Sequence, residues 1–234
     1  MSADVEESAD ERRDIAKKTL VRLVAGFLSI AAILFIPAGT LRYWAGWLYM
    51  AVFLGPASAA GIYFLRHDRA LLARRLRTKE SQSDQRWIIA LTNTLFIAGF
   101  ILPGLDFRFG WSQLPWPVIL AANALVAAGY ALVFWVLRTN SYASRTIEVD
   151  AGQRVIDTGP YAWIRHPMYT GVLVMMLASP LALGSLWALL PFALLLPPLL
   201  VWRIRGEERV LGEQLVGYAS YCARVRWRLI PGIW

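Results

Sequence analysis

Residues 168–202 read MYTGVLVMMLASPLALGSLWALLPFALLLPPLLVW and hold no charged side chain. A helix needs roughly 20 apolar residues to cross the hydrocarbon core of a bilayer, so this run is far too long for one crossing. Gly184-Ser185, near its middle, is a turn signal. It divides the run into two short spans, Met168–Leu183 and Ser185–Trp202, joined as a tight helical hairpin. One long bent helix is the rival arrangement. Pro197-Pro198 disturbs the hydrogen bonding of the second span, either as a tolerated kink or as a bend that opens a route from the lipid.

Working outward, four further apolar runs are each long enough to cross: Leu20–Gly39, Trp44–Leu65, Trp87–Leu105 and Pro117–Leu137. The fold expected is all-α, a polytopic transmembrane helix bundle of about six spans with a C-terminal helical hairpin. Composition agrees, since 57% of residues are hydrophobic and mean hydropathy is +0.46, above the 45–50% apolar content usual in soluble domains. Three regions follow: a tail over 1–18, transmembrane helices over 19–137, and a core over 138–234. The Ser-, Asp- and Glu-rich leader reads as a disordered tail, and no signal-peptide cleavage site is evident after it. Asn123, polar at membrane depth, is expected to face another helix.

The net charge of +8 would suit nucleic acid if it formed a patch, but the basic residues lie between the apolar runs. They therefore read as headgroup contacts and topology signals. Arg12, Arg13, Lys17, Lys18 and Arg22 precede the first span; Arg66, Arg69, Arg74, Arg75, Arg77, Lys79 and Arg86 follow the second. Arg138, Arg145, Arg154 and Arg165 follow the fourth, and Arg203, Arg205, Arg209, Arg224, Arg226 and Arg228 follow the last. The opposite loops carry only Arg42 and Arg108. Both termini are thus expected on the cytoplasmic side. Cys222 is the only cysteine and His67 and His166 the only histidines, so neither a disulfide framework nor a metal-ligand spacing is present. No G-x-G-x-x-G follows a strand, which argues against a soluble dinucleotide-binding domain.

Two polar clusters remain. Gly159-Pro160-Tyr161 makes a turn, and Arg165-His166-Pro167 places an imidazole just before a helix with Pro in its first turn. The unpaired amides of that helix suit an anion; equally, Arg165 and His166 could meet lipid phosphates. Arg203-Ile204-Arg205-Gly206-Glu207-Glu208 puts two carboxylates at the end of an apolar span, where burial is costly. Arg203 and Glu207 are four apart and share one helical face. They form either a surface salt bridge or a site for a substrate anion and a cofactor. Glu207 to Tyr221 has helical apolar spacing and reads as an amphipathic helix, continuing from or following the last span. Asn140, Ser141, Tyr142 and Ser144 either line a pocket or cap the fourth span.

Taken in order, these motifs resemble the isoprenylcysteine carboxyl methyltransferases and their relatives among phospholipid methyltransferases. The likeness covers about 135–234. It rests on Gly159-Pro160-Tyr161, Arg165 to Gly171, the hairpin, Glu207-Glu208 with Leu211, Tyr218 with Tyr221, and the closing Arg228 to Trp234. It implies an integral membrane protein of a bacterial inner membrane, with a cytoplasmic pocket for S-adenosyl-L-methionine and a lipophilic or prenylated acceptor. It implies cofactor contacts at Gln153, Arg154, Val155, Ile156, Tyr161, Arg165, His166, Pro167, Met168, Tyr169, Glu207 and Glu208, with Arg203 and Glu207 catalytic. No metal and no nucleic acid are implied. Here Gln153-Arg154 stand where the family often has a histidine. The acceptor expected is the carboxylate of an isoprenylcysteine-like lipid. Phospholipid N-methylation, a related NADPH-dependent membrane reductase and a non-enzymatic scaffold are the alternatives.

Overall fold

The computed structural model describes residues 2–76, 83–144, 147, 149, 150 and 152–234. Arg77, Lys79 and Arg145, used above to orient the chain, lie outside them. The described residues form eight α-helices and no strand: α1 Ser2–Ala38, α2 Trp44–His67, α3 Arg69–Leu76, α4 Ser83–Phe109, α5 Trp116–Thr139, α6 Pro167–Ala182, α7 Leu189–Gln214 and α8 Tyr218–Arg224. A 3₁₀ turn, Gly159–Ala162, interrupts the long connection from α5 to α6. The arrangement is the polytopic helical bundle expected.

Five stretches are long and apolar enough to cross a membrane: Arg13–Ala38, Trp44–His67, Trp87–Phe109, Trp116–Thr139 and Leu189–Gln214. The sixth helix, α6, is apolar but has only 16 residues, about 24 Å at 1.5 Å per residue. The hairpin is therefore asymmetric. α7 starts later than expected, at Leu189, because the Ser185 hydroxyl accepts from Ala188 N at 3.1 Å and holds 185–188 as a turn. It also runs further, through the charged cluster to Gln214, and so takes up the amphipathic stretch as a continuation of the span. The break comes at Gly217, whose φ of +85° suits a residue without Cβ. α1 begins at Ser2, so helix stands where composition suggested a disordered leader. Ala and Glu are good helix formers, and acidic residues early in a helix complement its dipole.

α6 lies in the centre of the bundle, packed chiefly on α5 and more lightly on α7, α2 and α4. Gly129 of α5 and Gly171 of α6 make the close approach possible. A Cβ built on Gly129 would lie 2.8 Å from the Gly171 carbonyl oxygen, and one on Gly171 would lie 2.8 Å from a Val133 methyl. Small residues at helix crossings in lipid let backbones approach in this way. Gly171→Val should overpack the crossing, at a cost of about 1–3 kcal/mol. A thermal midpoint of the detergent-solubilised variant equal to that of the parent would contradict this.

Interior polar groups are paired between helices. The Tyr43 hydroxyl donates to the Leu183 carbonyl, and Tyr49 meets Ser179 at 2.9 Å. Asn123 faces α6 as expected, donating to the Ala182 carbonyl at 3.2 Å. Asp106, 1% exposed, lies just beyond the end assigned to the third span from sequence. Its carboxylate accepts from Ser112 N at 2.6 Å and Ser112 Oγ at 2.7 Å, and from Ser185 Oγ of the hairpin turn at 2.5 Å. Ser112 Oγ in turn accepts from Leu186 N at 3.0 Å. This knot ties the end of α4 to the tip of the α6–α7 hairpin.

Candidate active site

At the other end of α6, Pro167 occupies the first helical turn and His166 the capping position. The segment after α8 runs back along this terminus: Arg165 N donates to Trp227 O and His166 N to Arg228 O, both at 2.9 Å. Thr170 Oγ1 donates to Leu229 O at 2.7 Å. The closing residues, read from sequence only as part of a family pattern, thus fix the height of the α6 terminus.

An open cleft enclosing about 900 Å³ lies beside this terminus. Its walls come from the α5–α6 connection, the start of α6, the last turns of α7 and α8. Of the residues singled out from sequence, Gln153, Arg154, Val155, Ile156, Tyr161, Arg165, His166, Met168, Tyr169, Arg203 and Glu207 all border it. Pro167 and Glu208 do not. Asn140, Tyr142 and Ser144 do, which places them in the wall.

Glu208 has a different position from the one expected. Its Oε1 accepts from Arg165 Nη1 at 2.9 Å and faces His166 Nε2 at 3.3 Å. Its Oε2 accepts from Arg228 Nε at 2.8 Å. One carboxylate thereby joins α7, the α6 terminus and the C-terminal segment behind the cleft. Consecutive residues on a helix point about 100° apart, and here Glu207 turns to the cleft while Glu208 turns behind it.

Glu207 faces the cleft. The Tyr169 hydroxyl donates to its Oε2 at 2.6 Å and is also hydrogen-bonded with Arg203, one turn earlier on α7. Arg203 is 9% exposed. A carboxylate and a guanidinium thus stand side by side, bridged by one phenol. Opposite, the Tyr161 hydroxyl accepts from Asn140 Nδ2 at 3.0 Å, and Tyr221 donates to the Tyr161 carbonyl at 2.8 Å. Burial pushes the Tyr161 hydroxyl up to about 12, against the opposing effect of Asn140, so it stays a neutral donor near neutral pH. Leu211, Leu215, Val155 and Ile156 supply apolar wall.

Two residues that border the cleft each carry a buried atom without a hydrogen-bond partner, Tyr218 Oη and Arg165 Nε. Buried polar groups are nearly always paired, so orphaned ones beside a cavity mark where a polar ligand would bind. Together with the Glu207 carboxylate and the apolar wall, they fit a ligand that joins a flat aromatic ring, hydroxyls and a cationic group, a set of groups that S-adenosylmethionine carries. Among the described residues, no group of three or more His, Cys, Asp or Glu side chains could hold a metal ion.

Basic residues of α3 also reach the site, which charge pattern alone assigned to topology. Arg74 donates to Asp150 Oδ2 at 2.5 Å and to the Ser141 carbonyl at 3.1 Å, and stacks over Tyr142. Arg75 Nη1 lies 3.8 Å from Met168 Sδ. The signal available was the buried Leu71 among arginines, since an amphipathic segment must lay its apolar side on something.

Comparison with known proteins bears out the resemblance. Residues 117–215 match the sequence profile of the phospholipid methyltransferase family. The match begins earlier than the motifs above suggested, at the start of α5, and takes in α6 and α7. Delta(14)-sterol reductase TM7SF2 of Mus musculus is 37% identical over 92 residues, 38% of this chain and 22% of that protein. Uncharacterized protein YpbQ of Bacillus subtilis (strain 168) is 30% identical over 98 residues, 42% of this chain and 58% of that protein. The matches thus span between about a fifth and somewhat over half of these relatives.

Proposed function

We propose that the protein is a membrane methyltransferase that moves the methyl group of S-adenosylmethionine to a lipophilic acceptor arriving from the bilayer. The observation that carries this reading is the Arg203–Tyr169–Glu207 array in the wall of a cleft bordered by the α6 terminus. When bound, S-adenosylmethionine supplies an electrophilic methyl whose C–S bond breaks as the new bond to the acceptor forms, leaving a neutral thioether. Such an in-line displacement depends mainly on proximity and alignment.

The chain's own residues divide the remaining work. Arg203 holds an anionic acceptor, and its burial strips water from that anion and sharpens it as a nucleophile. A carboxylate needs no general base. Glu207 takes the hydroxyls or the cationic group of the cofactor, held in place by Tyr169. Tyr218 and Arg165 offer their orphaned atoms. Glu208 acts through others, holding Arg165, His166 and Arg228 in place. The acceptor that best fits a buried guanidinium is the carboxylate of an isoprenylcysteine-like lipid. An aminophospholipid would instead have to lose a proton, for which Glu207 is the nearest base. The excess of basic residues at this end of the bundle supports a site on the cytoplasmic side.

Calorimetric titration of the purified protein with S-adenosylmethionine and, separately, with NADPH tests the class. Micromolar binding of the former, displaced by its demethylated product, is the expected result. Binding of NADPH alone would transfer the protein to the reductase side suggested by the sterol reductase likeness.

A further inference from the structure

A second, apolar groove, open to the outside of the bundle, lies away from the cleft, between α2 and α5. Both helices are long and apolar enough to span a membrane. The groove exists because its floor is made of small side chains. Ala59, Ala127 and Ala131 leave a channel flanked by Tyr63 and Phe134, and all three alanines are exposed on the outer face.

Two observations bring this groove next to the site. Tyr63, Phe134 and Leu137, which line it, belong to one apolar cluster with Ala143 and Met168, and these last two line the cleft. Arg75 contacts Met168 at this shared wall. The groove therefore ends against the packed wall that borders the cleft, with a cation beside that wall, an arrangement that suits an amphiphile with an anionic head.

We propose that the groove between α2 and α5 binds the single hydrocarbon chain of the methyl acceptor and sets its length, with the head turned past Met168 into the cleft. The inference rests on the methyltransferase reading for the identity of the occupant. Groove-lining residues run from Pro56 to Tyr63 on α2 and from Ala127 to Leu137 on α5, about 10 and 15 Å of helix. An extended carbon chain of about 1.5 Å bonds advances about 1.25 Å per carbon, so the groove takes roughly 8–12 carbons.

The probe is dodecanoic acid carrying a terminal alkyl diazirine, photolysed with the full-length protein in lipid nanodiscs and mapped by peptide mass spectrometry. Adducts should concentrate on 56–63 and 127–137 and be competed by dodecanoate but not by hexanoate. Ala131→Phe fills the groove from its exposed side and should cut labelling about tenfold, the equivalent of about two buried methylenes. Leu28→Phe, on the exposed face of α1, should leave it unchanged. Adducts spread evenly over all exposed helix faces, or equal competition by hexanoate and dodecanoate, would reduce the groove to ordinary bilayer contact and overturn the proposal; the competition arm needs no variant to fold. Titration of the same parent protein with S-adenosylmethionine separates the two readings. Normal cofactor binding without groove labelling sinks this inference alone, while groove labelling without cofactor binding sinks the methyltransferase reading and with it the identity of the occupant, leaving a groove that binds a hydrocarbon chain.

Discussion

Glu208→Ala is expected to cost the folded protein about 3–5 kcal/mol, the usual penalty for removing one partner from a buried ion cluster. The Arg165 side chain is only 8% exposed and that of Glu208 13%. Deleting the carboxylate leaves the buried Arg165 guanidinium and the partly exposed Arg228 guanidinium without their shared counter-charge, with His166 unsupported. Glu208→Gln keeps the shape and part of the hydrogen bonding but removes the charge, so it should fall between the parent and Ala. The check is resistance of the purified variants to thermal or denaturant-induced unfolding in detergent. A Glu208→Ala protein as stable as the parent, with unchanged cofactor binding, would show that the cluster contributes neither stability nor positioning.

Arg203→Ala and Glu207→Ala should fail in different ways, although the two residues are one turn apart. Glu207 is assigned to the cofactor. Losing one or two charge-assisted hydrogen bonds there should weaken S-adenosylmethionine binding by roughly 10–100-fold. Arg203 is assigned to the acceptor. Its loss should leave cofactor affinity within about threefold while turnover falls about 10²–10³-fold, the scale for removing one preorganised electrostatic contact. Binding is read by titration calorimetry and turnover by methyl transfer to a lipidic carboxylate. If both variants keep parental binding and turnover, the array is structural. If Arg203→Ala loses cofactor binding instead, the two roles are exchanged.

Much of this architecture was legible in the sequence because membrane helices obey a severe rule: every backbone polar group must be satisfied internally. Long apolar runs therefore had to be helices, and Gly184 in a charge-free stretch had to be a turn. The Arg203–Glu207 pairing followed from helical periodicity alone. What local pattern did not carry was long-range. Nothing in the spacing of Glu208, Arg165 and Arg228 announces that they meet, because they sit on three separate elements. The helical angle of about 100° between Glu207 and Glu208 separates their directions but does not say which of them faces the cleft. The arginines of α3 were hidden for another reason, because a basic stretch beside a span satisfies both topology and tertiary contact. Span ends were the least legible feature. α7 continues through residues whose charge marks the end of a membrane crossing but not the end of a helix.

The knot around Asp106 has a mechanical meaning. It staples α4 to the tip of the hairpin at the end of α6 remote from the cleft. At the other end the Glu208 carboxylate fastens the two helices of that hairpin, α6 and α7, beside the cleft. The hairpin is thus clamped at each end by one acid, and a pair of rods held at both ends can only bow between them.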